Sequence, residues 1–145
     1  MDKAEKLSLT LSGVLLAVFF IVLIYASAAK GLKVPTCITD VEPFKTYELI
    51  KLDDKHYELH MVAQMWTFLP NKLELPVGST VDIYLTSKDV IHGLDIEDKN
   101  VNLMAVPGTV NYTQVTFEEP GSYKFLCHEY CGIAHHNMAG EIIIK

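Results

Sequence analysis

Residues 56–66 read HYELHMVAQMW, and the alternation in this stretch decides the fold. Tyr57, Leu59, Met61 and Ala63 fall on one side of an extended chain, while His56, Glu58 and His60 fall on the other. Successive side chains of a strand point to opposite faces, so a period of two describes a strand with one apolar and one polar face. The stretch TVDIYLTS, residues 80–87, repeats the pattern with Val81, Ile83 and Leu85 inward. Further extended runs follow in TVNYTQVTF (109–117), GSYKFLC (121–127) and GEIIIK (140–145), with turn material between them in PVGS, VPG and EEPG. No long amphipathic helical pattern occurs after Ala29. Short strands at fairly regular spacing, joined by Gly and Pro turns, predict an all-β antiparallel Greek-key sandwich or barrel.

Upstream the pattern changes completely. Between Lys6 and Lys30 lies LSLTLSGVLLAVFFIVLIYASAA, 23 residues without a charge. As a helix this stretch is roughly 34 Å long at about 1.5 Å per residue, enough for a hydrocarbon core of about 30 Å. A cleaved signal peptide is the alternative, because ASA at 26–28 resembles a small-residue cleavage site. The apolar core of a signal peptide usually has only about 7 to 15 residues, so the length favours a retained span. Either reading carries the rest of the chain across a membrane. We therefore expect a transmembrane anchor and linker over 1–33 and one folded domain over 34–145.

Composition excludes some functions. The four charges before Leu7 cancel, so the formal charge of −6 belongs to residues 7–145. The chain has no arginine, and a basic groove for nucleic acid is absent. A net acidic domain suits a basic partner protein, although scattered acids also serve simply as a solvated surface.

The chemistry is concentrated in CHEYCGIAHHNMAG, residues 127–140, which joins two of the expected strands. A disulfide, a reactive thiol and a metal site all begin from such a cluster. A Cys127–Cys131 disulfide suits a translocated domain, but it leaves His135 and Met138 without a role. It also leaves VIHGL unexplained, where His92 follows a strand and stands at the start of a loop. Two thiolates, two imidazoles and a thioether form a soft donor set, suited to copper, zinc or iron–sulfur and unsuited to calcium or magnesium. Structural zinc sites seldom use a thioether, which turns the choice toward copper. One cysteine, two histidines and a weak methionine describe a mononuclear blue-copper site, but here there are two cysteines. Two thiolates can bridge two copper ions, each capped by one histidine, with Met138 and the main-chain carbonyl of Glu129 in the weak axial positions.

With His92 lying 35 positions before Cys127, C-x-E-x-C-G-x-x-H-x-x-M resembles the binuclear CuA site of subunit II of haem-copper cytochrome c oxidases. The resemblance implies a cupredoxin-like sandwich holding two copper ions. It implies side-chain ligation by His92, Cys127, Cys131, His135 and Met138, and main-chain ligation by Glu129. It also implies cytochrome c as electron donor, oxidase subunit I as acceptor, membrane lipid around the anchor, and a copper domain on the periplasmic side of the cell membrane. A single span in a short chain is similar to the compact B-type oxidases. In this family an aromatic residue of the segment containing MWTFLP lies where electrons enter, which makes Trp66 the first candidate and Phe68 the second.

His128 and His136 flank ligand positions, and the family spacing selects His135 over them. His56 and His60 are expected on the surface, and Cys37 is given no function. A thioredoxin-like copper-delivery protein also combines an anchor, C-x-x-x-C and a distant histidine. It needs alternating helices and strands, however, and usually a proline where Gly132 stands. Nitrous oxide reductase attaches this domain to a large propeller that 145 residues cannot hold. Quinol oxidase subunit II lacks the copper ligands.

Overall fold

The computed structural model describes residues 2–30, 36–38 and 40–145. They form two compact units, Met1–Leu32 and Lys33–Lys145. The expected linker falls largely outside the described residues, as does the side chain of Cys37.

The first unit is one helix, α1 (Lys3–Lys30). Asp2 begins it by accepting a hydrogen bond from the Glu5 amide at 2.7 Å, satisfying one of the donors that a helix start leaves unpaired. Ser8 and Thr10 are its first polar residues beyond the charged turn, and their hydroxyls donate to the carbonyls of Glu5 and Lys6. The helix therefore carries these hydroxyls into an apolar surrounding without leaving them unpaired. The helix contains an 18-residue stretch with a mean hydropathy of 2.7 that is not buried by protein. It is long and apolar enough to cross a membrane.

The second unit is a cupredoxin-like sandwich. Its strands are β1 (Thr36–Ile38), β2 (Glu48–Lys51), β3 (His56–Gln64), β4 (Thr67–Leu69), β5 (Lys72–Leu75), β6 (Ser79–Ser87), β7 (His92–Ile96), β8 (Val101–Ala105), β9 (Val110–Phe117), β10 (Gly121–Cys127) and β11 (Ala139–Ile144). One sheet has the order β1-β9-β6-β3-β2, with β4 added alongside β3, and the other has the order β5-β11-β10-β7-β8. The alternating residues behave as their pattern requires. Leu59, Met61 and Ala63 of β3, and Val81, Ile83 and Leu85 of β6, are fully buried on the inner face. Phe68 from the first sheet meets Phe125 from the second edge to face, centroids 5.5 Å apart, which joins the two layers.

Two features differ from the sequence expectation. The sandwich is not wholly antiparallel: β3 pairs with β6, and β5 with β11, in parallel. After β3 the chain crosses through β4 to the other sheet, lays down β5, and returns beside β3 in the same direction. His92 also begins a strand, where a loop was expected, because β7 forms a hairpin with β8 and pairs with β10.

His56 and His60 lie on the outer face, as their parity requires, but are partly covered there. Phe44 stacks on the His60 ring with centroids 4.7 Å apart, and Glu58 takes a 2.7 Å bond from His60. His56 bonds to Asp82, which also accepts from the Tyr112 hydroxyl at 2.7 Å and the Gln114 amide at 2.8 Å. Burial alone would raise the Asp82 pKa. The hydrogen bonds from Tyr112, Gln114 and His56 outweigh it, so the carboxyl is held below its ordinary 3.8. A folded-state value below the unfolded one adds stability above the unfolded value, and that stability is lost as pH falls through the folded value. We predict that Asp82→Asn is less stable than the native chain at neutral pH. Urea midpoints measured across a pH series should converge as pH falls below about 4.

Candidate metal centre

The ligand candidates come from two places that sheet pairing brings together. Cys127 ends β10 opposite Leu94 of β7. His92 begins β7 two residues earlier, on the same face, so the imidazole and the thiol both point into the sandwich. The loop after Cys127 leaves the sheet, turns through a short 3-10 segment at His135–Asn137, and re-enters as β11. The Cys127 amide donates to the Met138 carbonyl at 2.9 Å, closing the loop at its base. Within it the His135 amide donates to the Gly132 carbonyl and the Met138 amide to the His135 carbonyl, both at 3.1 Å. These bonds turn Cys131, His135 and Met138 toward one centre.

The distances are close. Cys127 Sγ lies 3.8 Å from Cys131 Sγ, and both cysteines are free thiols. Cys131 Sγ is 3.6 Å from His135 Nδ1 and 3.7 Å from Met138 Sδ. Cys127 Sγ is 3.2 Å from the Glu129 carbonyl oxygen. Donor atoms of His92, Cys127 and Cys131 all lie within 4.8 Å of one another, and all three residues are buried. All six ligand candidates thus converge. Burial, reinforced by the neighbouring Cys127 thiol, pushes the Cys131 pKa up to about 11.

His92 supplies the test of whether a metal fits. Its Nε2 lies 2.8 Å from Asp89 Oδ1, which fixes the proton on that nitrogen. Nδ1 is then left with a lone pair, and it is the only buried side-chain nitrogen or oxygen among the described residues without a hydrogen-bond partner. An orphaned, buried imidazole nitrogen beside two thiols is satisfied by a cation. The donor set is that of a soft metal.

Asp89 was not anticipated from the sequence, although D-V-I-H places it three residues before His92. Burial works against its charge, but bonds from His92 and from the Met65 and Val90 amides hold its pKa low. It thus anchors His92 as a carboxylate while tying down the β3–β4 turn, where the Met65 amide donates at 2.7 Å.

Of the two aromatic candidates, Phe68 is fully buried in the core, whereas Trp66 is 39% exposed. The Trp66 indole N–H donates to the Cys131 carbonyl at 3.1 Å, and its ring covers Gly132. Gly132 has a φ of 120°, a conformation that disfavours other residues, and a side chain there would also press on the indole. Around Trp66 the neighbouring loops expose Met65, Val90, Ile91, Tyr130 and Ile133, forming an apolar rim beside the ligands. His128 and His136 are exposed.

Residues 39–145 match the family model of the cytochrome c oxidase subunit II periplasmic domain. Cytochrome c oxidase subunit 2 of Thermus thermophilus is 34% identical over 113 residues, covering 77% of this chain and 84% of the relative. A chain of a heme-copper terminal oxidase dimer solved by cryo-electron microscopy superposes with a TM-score of 0.88 at 50% identity, covering 99% of this chain and all of that one. The periplasmic domain of oxidase subunit II from Bradyrhizobium japonicum superposes with a TM-score of 0.57 at 21% identity, covering 61% of this chain and 83% of that one, and shares the fold.

The Asp89–His92 pair leads to a direct prediction. Replacing Asp89 by Ala frees the imidazole to rotate and exchange its tautomer, so metal affinity should fall by about 10- to 100-fold. Competitive chelator titration of the full chain would measure this.

Proposed function

Because the chain belongs to the cytochrome c oxidase subunit II family, we propose that it is the electron-receiving subunit of a terminal oxidase and holds a binuclear copper CuA centre. The observation that carries this reading is the buried, unpartnered Nδ1 of His92 beside the two thiols of a C-x-E-x-C-G-x-x-H-x-x-M loop. His92, Cys127, Cys131, His135 and Met138 would hold the copper through side chains, and Glu129 through its carbonyl. Bound there, copper supplies one-electron exchange.

The chain's own residues keep the reorganisation that accompanies such exchange small. Asp89 fixes the His92 ring, the bond from the Cys127 amide to the Met138 carbonyl closes the loop, and Trp66 holds the Cys131 carbonyl. Ligands fastened from behind move little when the charge between them changes. Relay needs no open coordination position, and burial of His92, Cys127, Cys131 and Met138 keeps water from these donors. In the assembled enzyme, electrons from cytochrome c would pass by way of this domain to haem and copper in subunit I, where dioxygen is reduced to water and protons are moved across the membrane. The helix α1 would anchor the chain in the cell membrane, with the sandwich on the periplasmic side.

The apolar rim suits the donor. The ligand end carries Glu129 and Asp89, whereas paired acids stand in the turns at the opposite end of the sandwich, at Asp53 and Asp54, Glu97 and Asp98, and Glu118 and Glu119. Docking at the ligand end therefore rests on Trp66 and its apolar neighbours more than on charge pairing. A central interface tryptophan is worth about 2 kcal/mol or more. Trp66→Ala should therefore raise the KM of the assembled oxidase for cytochrome c by more than about tenfold, while the complex keeps its copper content.

The copper itself is tested by electron paramagnetic resonance of the full chain in detergent after copper addition. We expect hyperfine structure from one electron shared equally between two copper nuclei, with two copper ions per chain. A single-nucleus pattern, or a Cys127–Cys131 disulfide that excludes metal, would favour the alternative of a membrane-anchored copper-delivery protein.

A further inference from the structure

We propose that His128 is a positioning residue that locks the two ligand-bearing strands together by packing its ring onto Gly93, a role that rests on the copper reading above. The pairing of β10 with β7 runs Leu126 to Asp95 and Cys127 to Leu94. The following rung is His128 to Gly93, where the His128 amide donates to the Gly93 carbonyl at 3.3 Å. Each residue of this rung is the immediate neighbour of a ligand candidate, Gly93 of His92 and His128 of Cys127.

Alternation decides what the His128 ring can reach. Cys127 points into the sandwich, so His128 points to the outer face, away from the thiols. There the ring lies over Gly93, which is buried although it sits on the outer face of the sheet. A Cβ at position 93 would meet three atoms of the His128 imidazole, Cε1, Nδ1 and Nε2, closer than real Cβ atoms come. An aromatic ring laid across an opposing glycine replaces the side chain that the glycine lacks and pins the register there. At this rung the register sets the separation of the His92 imidazole and the Cys127 thiol. His128 thus acts through its bulk on the outer face while the ligands meet on the inner one.

The test uses the full chain in detergent with cupric ion as the probe. His128→Ala should weaken copper affinity about tenfold and shift the absorption bands of the bound copper, while His128→Phe, which keeps a ring, should restore both. Native affinity and spectrum in His128→Ala would overturn the proposal. So would a His128→Phe variant as impaired as His128→Ala, since the imidazole nitrogens and not the ring would then be at work. A second measurement needs no metal. Gly93→Ala should lower the unfolding midpoint of the metal-free chain, and lower it much less when combined with His128→Ala, because the space taken by the ring is vacated. Strictly additive losses would overturn the clamp. A native chain that binds no copper would end the copper reading, and this metal-free cycle would still judge the packing of His128 on Gly93.

Discussion

The register between β7 and β10 is the constraint on which the ligand end of the molecule depends. His92 and Cys127 are far apart in sequence and reach one centre only because Cys127 stands opposite Leu94. A slip of one residue would turn every side chain of the strand to the other face. Several contacts oppose such a slip. The inner residues Leu94 and Phe125 are buried in the core, and β10 is held on its far side by β11. Gly140, opposite Phe125 in that ladder, has no room for a Cβ against the Asn71 carbonyl and the Phe125 ring. Core packing and site geometry are therefore one problem, solved by the same strand.

Much of this was legible in the sequence, and the reason differs from element to element. The strands β3 and β6 announced themselves because each is long enough for a period of two to show, and β9, β10 and β11 did so as extended runs bounded by Gly and Pro turns. The hairpin of β7 and β8 did not, because both strands are short and HGLDI is buried on both faces, which hides its alternation. The parallel pairs were also invisible, since strand direction depends on which sheet the intervening chain visits and not on the residues of either strand. Similarly, His56 and His60 have the parity of surface residues, and only the packing of Phe44 on His60 reveals that this face is covered.

At the site, the loop carries five of the six ligand candidates within twelve positions, while His92 was picked out from VIHGL and the family resemblance. What stayed hidden were the partners supplied from elsewhere in the fold. Asp89 is one, since a carboxylate three residues from a histidine is commonplace. Trp66 and Cys131 are 65 residues apart, and only the turn after β3 brings the indole to that carbonyl. Trp66 was ranked before Phe68 in MWTFLP, and the structure separates them because Phe68 lies within β4 and faces the core, whereas Trp66 sits in the turn before that strand, beside the loop.

The placement of β11 bears on how the molecule is made. It follows every other described strand in chain order, yet it lies inside its sheet, between β10 and β5. Synthesis runs from the amino end, so β5 and β10 emerge with open edges and wait for a partner that follows both of them. Meanwhile β5 carries Lys72 and Glu74, whose charges discourage pairing with a stranger. Met138 and the closure of the loop arrive with β11 as well. The metal pocket thus takes shape only after β5 and β10 have emerged, and a newly made chain passes through an interval in which both thiols are present without the cage that later shields them.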